Sequence, residues 1–222
     1  MNNVNESTQL LIENWGIPSG LNSSSNAITD VITESEHGLK PGLYISGVFM
    51  QAEVVNRNKR LYPKKVLQEA VSKYITEQVD TKQSLGELNH PPRANVDPNQ
   101  AAILIEKLWW EGNNVMGIAR IIEGDNGPGD KLAANIRAGW IPGVSSRGLG
   151  ALQSSGKGYN VVKEGFRLTV GVDAVWGPSA PDALVKPTQI TEGVNIPVKA
   201  EKKCAGDDDV FRILAKNFKK LK

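Results

Sequence analysis

Cysteine is almost absent from this sequence of 222 residues, which contains only Cys204. A disulfide within the chain needs two cysteines, and a cysteine-based zinc site needs several, so both are excluded. Cys204 also lies in AEKKCAGDDD, a polar stretch that would not hold a catalytic thiol in a fixed position. The sequence therefore argues against a cysteine enzyme.

Histidine is nearly as scarce, and only His37 and His90 are present. His37 lies in SEHGLKPG with no second histidine or cysteine near it, so we expect it to be a surface residue. Two isolated histidines and one cysteine cannot supply the ligands of a typical zinc site. We expect no metal and no other cofactor.

Long apolar runs and a large excess of one charge are also missing. No stretch approaches the length of a membrane-spanning helix, and MNNVNESTQ lacks the basic and apolar parts of a signal peptide. The formal net charge is +2, and the basic cluster RNKR at 57–60 is typical of a solvated surface. We expect a protein of the cytoplasm that binds neither a membrane nor a specific nucleic acid.

Composition divides the chain into three parts. Residues 1–38 are rich in Asn, Ser and Thr, which predicts a flexible N-terminal arm. Residues 39–187 alternate β-rich and helical patterns and should form the folded domain. Residues 188–222 predict a linker followed by an amphipathic helix in DDDVFRILAKNFKKLK.

Local patterns within 39–187 predict two helices among antiparallel strands, an α+β fold. Pro63 should begin a helix with an apolar face, and Asp130 should be the N-cap of KLAANIRAGW, which ends at Gly139. The turn signal EGNN predicts a hairpin between two apolar runs. A second hairpin is expected where YNVVK turns at Glu164-Gly165 into FRLTVGVDAVW.

A histidine, two adjacent serines and an aspartate could carry catalytic chemistry. His90 precedes a double proline in GELNHPPRANVDP, which favours an extended backbone. Ser145 and Ser146 lie in PGVSSRGLG, and because neighbours in a strand point to opposite faces, at most one of them can share a site with His90. The simpler interpretation is two polar residues in a glycine-rich edge strand.

Asp173 interrupts the apolar strand LTVGVDAVW, where an unpaired carboxylate would be unfavourable. It could orient a catalytic histidine, which would permit Ser–His–Asp acyl transfer. A salt bridge to Arg147 is an equally good explanation. Glu87 and Asp97, which are near His90 in the sequence, could also orient the histidine.

Four longer segments closely resemble the prohead core proteases of T-even-like bacteriophages. They are KPGLYISGVFMQAEVVNRNKRLYP, GELNHPPRANVDP, GPGDKLAANIRAGWIPGVSSRGLG and LTVGVDAVWGPSAPDA, and the resemblance spans about residues 39–182. It implies a serine endopeptidase in the host cytoplasm, inside the assembling prohead, that degrades scaffolding core proteins and trims the major capsid protein. It also implies a β-barrel-like, assemblin-like fold with peripheral helices, and self-association into a homo-oligomer.

The resemblance also implies roles for individual residues. His90 would be the base, and a serine of GVSSRG the nucleophile. Ser145 is favoured, and Ser146 remains an alternative because it fits the Ser-x-Gly context of more distant relatives. Asp173 would be the third member by analogy with assemblin-like enzymes.

Members of this family are expected to cut after glutamate in a Leu/Ile-x-Glu context. Three such sites lie in segments that we expect to be mobile, which suggests self-cleavage after Glu13, Glu34 and Glu192. A cation should bind the substrate glutamate. The candidates are Arg57, Arg60, Arg93 and Arg147, with Arg147 and Arg93 the preferred pair.

Two other functions are compatible with the sequence. One is a catalytically inactive phage subunit that forms a ring or tube. The other is a DNA-associated head protein, suggested by NRNKR and the aromatic residues near it, which would bind with a steep salt dependence.

Overall fold

The computed structural model describes residues 8–15, 30–33, 39–176 and 185–191. The chain divides into two units, Met1–Glu192 and Gly193–Lys222, and every described residue belongs to the first. The predicted C-terminal amphipathic helix therefore lies outside the described residues. In the part of the chain that is described, neither helix is long and apolar enough to cross a membrane.

Strands dominate the described residues. In chain order they are β1 (Gln9–Trp15), β2 (Asp30–Thr33), β3 (Gly42–Gln51), β4 (Arg60–Leu61), β5 (Leu85–Glu87), β6 (Ala101–Glu111), β7 (Asn114–Ile121), β8 (Gly143–Gly150), β9 (Leu152–Ser154), β10 (Asn160–Val162), β11 (Arg167–Val175) and β12 (Val185–Thr191). The helices are α1 (Lys64–Tyr74), which continues as a π-helical turn at Ile75–Val79, and α2 (Pro128–Arg137). A short 3-10 turn covers Pro98–Gln100.

The strands form three sheets. The largest has the order β2-β12-β3-β7-β6-β5, the second has β1-β8-β11, and the smallest has β4-β10-β9. All pairs are antiparallel except β2 with β12 and β4 with β10. An isolated bridge between Leu88 and Ala174 connects the end of β5 to β11. The fold is thus mostly antiparallel sheet with two helices, and the expected barrel closure is not seen among the described strands.

Helix α1 forms as its sequence predicts. Pro63 precedes it with φ of −57°, a value already suited to a helix start. Its inward face carries Val66, Leu67, Ala70, Val71 and Tyr74, which are all buried. Because apolar residues at this spacing line one side of a helix, α1 seals the main hydrophobic core from that side.

Helix α2 begins earlier than predicted. Its N-cap is Gly127 and Pro128 is its first residue, so the expectation that Asp130 is the N-cap is wrong. Instead, Asp130 lies in the first turn and its carboxylate accepts hydrogen bonds from the backbone N–H groups of residues 124–126. Gly139 follows the helix with φ of +103°, as expected for a helix end.

One predicted hairpin is present and the other is not. Glu111 pairs with Asn114 across the two-residue turn in EGNN, and Gly112 takes φ of +58° there. In contrast, β10 pairs with β9 and β4, while β11 pairs with β8. The turn at Glu164-Gly165 therefore connects strands of two different sheets.

Part of the segment expected to be a flexible arm lies in the sheets. β1 is the neighbour of β8, and β2 is the neighbour of β12. Leu11 of β1 is 1% exposed and belongs to the main core. Since a buried leucine anchors its strand, residues 9–15 are structurally part of the folded domain.

Candidate active site

Strands β8 and β11 form the base of the candidate site. Arg147 pairs with Val170, but the register then shifts, so that Ser145 pairs with Asp173. In an uninterrupted ladder Val172 would lie opposite Ser145. The extra residue of this β-bulge therefore turns a carboxylate, instead of a valine, towards the serine.

The bulge is closely packed on its inner side. At Gly171, a Cβ atom would lie 2.6 Å from Ile105 Cδ1 and 2.9 Å from Tyr74 Cε1, so a larger residue there would displace at least one of these side chains. The Tyr74 hydroxyl also shares a 2.7 Å hydrogen bond with Ser84, and burial raises its pKa. Helix α1 and strand β6 thus fix the bulge from below, which explains the glycine in LTVGVDAVW.

The GELNH segment brings the histidine to β11. A Cβ atom on Gly86 would lie 2.1 Å from the Val172 carbonyl oxygen, so only glycine permits β5 to approach this closely. Asn89 donates its backbone N–H to Ala174 O at 2.8 Å and takes φ of +74°. The chain then turns, and His90 projects over Asp173.

Ser145, His90 and Asp173 form a continuous chain of hydrogen bonds. The Ser145 hydroxyl lies 3.0 Å from His90 Nε2, and His90 Nδ1 lies 2.9 Å from Asp173 Oδ2. A carboxylate can only accept, so Nδ1–H donates to Asp173 and Nε2 is left to accept from the serine. This is the geometry that a serine nucleophile and its general base require.

Ser146 occupies the opposite side of the strand. It is 3% exposed, and the structure brings Ser145, not Ser146, within hydrogen-bond distance of His90. The alternation of side chains along β8 accounts for the difference. The geometry therefore favours Ser145 as the nucleophile.

Arg147 lies behind Asp173 and not at the surface. Its side chain is fully buried, with Nη2 donating to Asp173 Oδ1 at 2.8 Å and Nε 2.7 Å from Oδ2. Nη1 donates to the backbone oxygens of Arg93 and Asn95. The geometry does not favour the expectation that Arg147 binds a substrate glutamate, because its side chain is fully buried and its Nη1 and Nη2 groups donate to partners inside the protein.

Asp173 makes both of the contacts that the sequence suggested. Its carboxylate lies within hydrogen-bond distance of His90 Nδ1 and also forms the salt bridge to Arg147. It further accepts the backbone N–H of Glu87 at 2.8 Å. The buried carboxylate is thus surrounded by donors from a histidine, an arginine and the backbone.

Glu87 continues the charge network away from the histidine. Its side chain is 2% exposed, and Oε1 accepts from Arg93 Nη2 at 2.7 Å and from the backbone N–H of Asp97 at 2.6 Å. Arg93 is 42% exposed and remains partly accessible. Neither Glu87 nor Asp97 contacts His90 through these hydrogen bonds. Glu87 accepts from Arg93 and from the backbone of Asp97, and the Asp97 carboxylate accepts from Asn99 in the adjacent turn.

The inward position of Arg147 was one of two expectations from the sequence, whereas the burial of Glu87 was not predicted. Arg147 lies two residues after Ser145 and so on the same face of β8, which was an available signal for its inward position. Glu87 gave no comparable signal, because its burial depends on how the loop after β5 folds over β11.

The proposed self-cleavage sites are only partly described. The backbone of Glu13 lies in β1, whereas Glu34, Glu192 and the isolated His37 are outside the described residues. Leu104-Ile105-Glu106, a further match to the motif, is part of strand β6. Among the described residues, no group of three His, Cys, Asp or Glu side chains is placed to hold a metal ion.

Comparisons with known proteins identify the family to which this chain belongs. The family model described as prohead core protein serine protease matches residues 10–195. The prohead core protein protease of Enterobacteria phage T4 is 63% identical over 212 residues, which are 96% of this chain and 97% of that protein. The solved structure of the bacteriophage T4 capsid assembly protease, gp21, is 69% identical and has a TM-score of 0.68, covering 77% of this chain and 99% of that chain. The chain belongs to the family of prohead core protein serine proteases.

Proposed function

We propose that the chain is a serine endopeptidase with Ser145 as nucleophile, His90 as general base and Asp173 as the residue that orients the base. The observation that carries this proposal is the pair of hydrogen bonds, 3.0 Å and 2.9 Å long, that links the three side chains. Family membership and the buried cation behind Asp173 support it.

The reaction follows from this arrangement. His90 Nε2 takes the proton of Ser145 as Oγ bonds to the carbonyl carbon of the peptide. The imidazolium that forms is stabilised by Asp173 and then gives its proton to the leaving amine, which frees the C-terminal fragment. Water activated by His90 hydrolyses the acyl-enzyme in the same way. Arg147 places a positive charge directly beside Asp173 on the side away from His90.

The substrates proposed for this enzyme are the scaffolding core proteins and the major capsid protein of a phage, cut inside the assembling prohead. Support comes from the relatives, which are named as a prohead core protein protease and a capsid assembly protease. Acting there as a homo-oligomer is part of the same proposal.

The proposed specificity is cleavage after glutamate in a Leu/Ile-x-Glu context, including self-cleavage after Glu13, Glu34 and Glu192. The boundary between the two units of the chain lies between Glu192 and Gly193, where such a cut would separate them. With Arg147 engaged inward, the cations left to bind the glutamate are Arg57, Arg60 and Arg93.

An intact-mass time course of four purified chains tests the proposal: wild type, Ser145→Ala, Ser146→Ala and His90→Ala. We expect the wild type and Ser146→Ala to lose mass by cuts after Glu34 and Glu192, while the other two stay intact. The Ser146→Ala chain is the matched control, because it removes the same group one residue away. Uncut masses for all four, even with scaffold protein added, would reject the proposal.

A further inference from the structure

An open groove of about 810 Å³ borders the candidate site. Part of its wall consists of Leu88 and Asn89, the two residues before His90. Ala174 belongs to the same wall, since it forms a bridge with Leu88 and its carbonyl oxygen accepts the Asn89 N–H at 2.8 Å. Because Ala174 directly follows Asp173, the pairing that brings His90 to β11 also builds this wall.

Two tryptophans line the groove, together with the end of α2. Trp140, just after α2, is half-buried and packs against the main core, which fixes its position. Trp176, directly after β11, is 85% exposed, and no other large apolar side chain of the described residues is as exposed. An exposed tryptophan beside a groove is a typical anchor for a bound peptide, since it supplies a large contact area and loses little side-chain entropy.

The groove is displaced from the serine along the direction of the strands. Asp173 lies opposite Ser145, whereas Val175 lies opposite Gly143, at the start of β8. Trp176 is thus three residues beyond Asp173. An extended peptide advances about 3.3 Å per residue. A peptide that crosses the triad in the direction of these strands therefore reaches the groove within two or three residues of the bond that is cut.

The chemistry of the histidine indicates that the groove holds the residues after the cut. His90 has to give its proton to the nitrogen of the leaving amine, so these residues begin beside the imidazole. The groove begins at the residues directly before His90. Arg60, a candidate for binding the glutamate before the cut, lies towards the other end of β8, because its Nη1 contacts the carbonyl oxygen of Ile12, the register partner of Arg147.

We propose that this groove is a binding subsite for an apolar side chain at the second position after the cut bond, and that Trp176 is the residue that selects it. This inference rests on the proposed function. An aliphatic side chain is stabilised by leaving water against the tryptophans. A carboxylate would lose hydration there, and no cation replaces it among the described residues that line the groove.

The chain itself contains one matching and one contrasting sequence. Glu192 is followed by the dipeptide Gly-Val, which places an apolar residue at the second position. Glu34 is followed by Ser-Glu, which places a carboxylate there. Of these two proposed self-cleavage sites, the one after Glu192 should therefore be the better substrate.

Two peptides test the inference with the full chain. One is Gln-Ile-Thr-Glu-Gly-Val-Asn-Ile, which copies the sequence around Glu192, and the other has aspartate in place of the valine. We expect the aspartate to lower kcat/KM about tenfold in the wild type and less than about threefold in Trp176→Ala. Because Trp176 is exposed, its replacement should leave the fold intact.

The matched control is Trp109→Ala. Trp109 is 36% exposed, lies in β6 and is not among the residues that line the groove. We expect this variant to keep the preference of the wild type for valine. A preference of the same size in Trp176→Ala would overturn the inference. So would an equal loss of rate on both peptides with a lower sedimentation coefficient, since the groove would then hold a second copy of the chain.

A binding measurement separates this inference from the proposed chemistry. Ser145→Ala is prepared with and without Trp176→Ala, and binding of fluorescent versions of both peptides is followed by anisotropy. We expect the valine peptide to bind more tightly only where Trp176 is present. If that preference is seen but the wild type cleaves neither peptide, the subsite stands and the proposed reaction fails. If neither chain prefers valine, the subsite is wrong whatever the activity.

Discussion

Asp173 and Asp130 each collect several hydrogen bonds, but their surroundings differ. Asp173 is fully buried and contacts an arginine, a histidine and one backbone N–H. Asp130 accepts three backbone N–H groups of residues 124–126 in an exposed loop. Water can replace the donors of Asp130 but not those of Asp173. Burial should therefore decide which of the two carboxylates is essential.

The largest effect is expected from Asp173→Asn. The amide cannot accept from both Arg147 and His90 as the carboxylate does, so the histidine loses its orientation and the imidazolium its counter-charge. We expect kcat on a Leu-Ile-Glu peptide to fall by a factor on the order of 10⁴, with KM changed far less. Steady-state kinetics measure both quantities.

The control for this variant is Asp97→Asn. Its carboxylate is close in the chain to His90 but accepts from Asn99 instead. We expect it to keep kcat within about tenfold of the wild type, because it touches none of the reacting groups. Equal losses from the two variants would mean that Asp173 acts only by maintaining the fold.

Local features of the fold could be predicted from the sequence, and long-range pairings could not. Helix α1 and the EGNN hairpin depend on residues within one turn or one hairpin of each other. The partner of β10 depends instead on how whole strands pack, and the sequence suggested β11 where the structure has β9 and β4. The place of β1 beside β8 is another such pairing, and composition indicated only an arm.

The candidate site shows the same division. His90, Ser145 and Asp173 stood out because each is a reactive residue in an unusual local context, and the structure brings the three together. The bulge that turns Asp173 towards Ser145 left no readable pattern. The inward position of Arg147 was one of two expectations for that residue, since an arginine suits a buried carboxylate and a substrate carboxylate equally well.

An intermediate effect is expected from the two arginines of the charge network. Arg147→Met leaves Asp173 without its cation in a buried site, which should lower the free energy of unfolding by roughly 3–5 kcal/mol. Arg93→Met makes the same change at a side chain that is 42% exposed, where about 1 kcal/mol or less is expected. Urea unfolding of both variants measures the difference. Equal losses of unfolding free energy in the two variants would show that burial does not set how much each arginine contributes to stability.

The smallest effect should come from Asp130→Asn, and it should depend on pH. The backbone N–H of Gly124, with those of Asp125 and Asn126, holds the pKa of Asp130 below its ordinary value of 3.8. A lowered folded pKa means that the ionised form contributes stability above pH 3.8, and that this contribution is lost as the pH falls through the folded pKa. The wild type should therefore be slightly more stable than Asp130→Asn near neutral pH, and the two should converge in acid. Urea unfolding midpoints of both chains, measured from neutral pH down to about pH 2.5, follow this difference. That range extends below the pKa of an aspartate carboxyl in the unfolded chain. A difference that stays constant with pH would mean that Asp130 stabilises the loop through its shape and not through its charge.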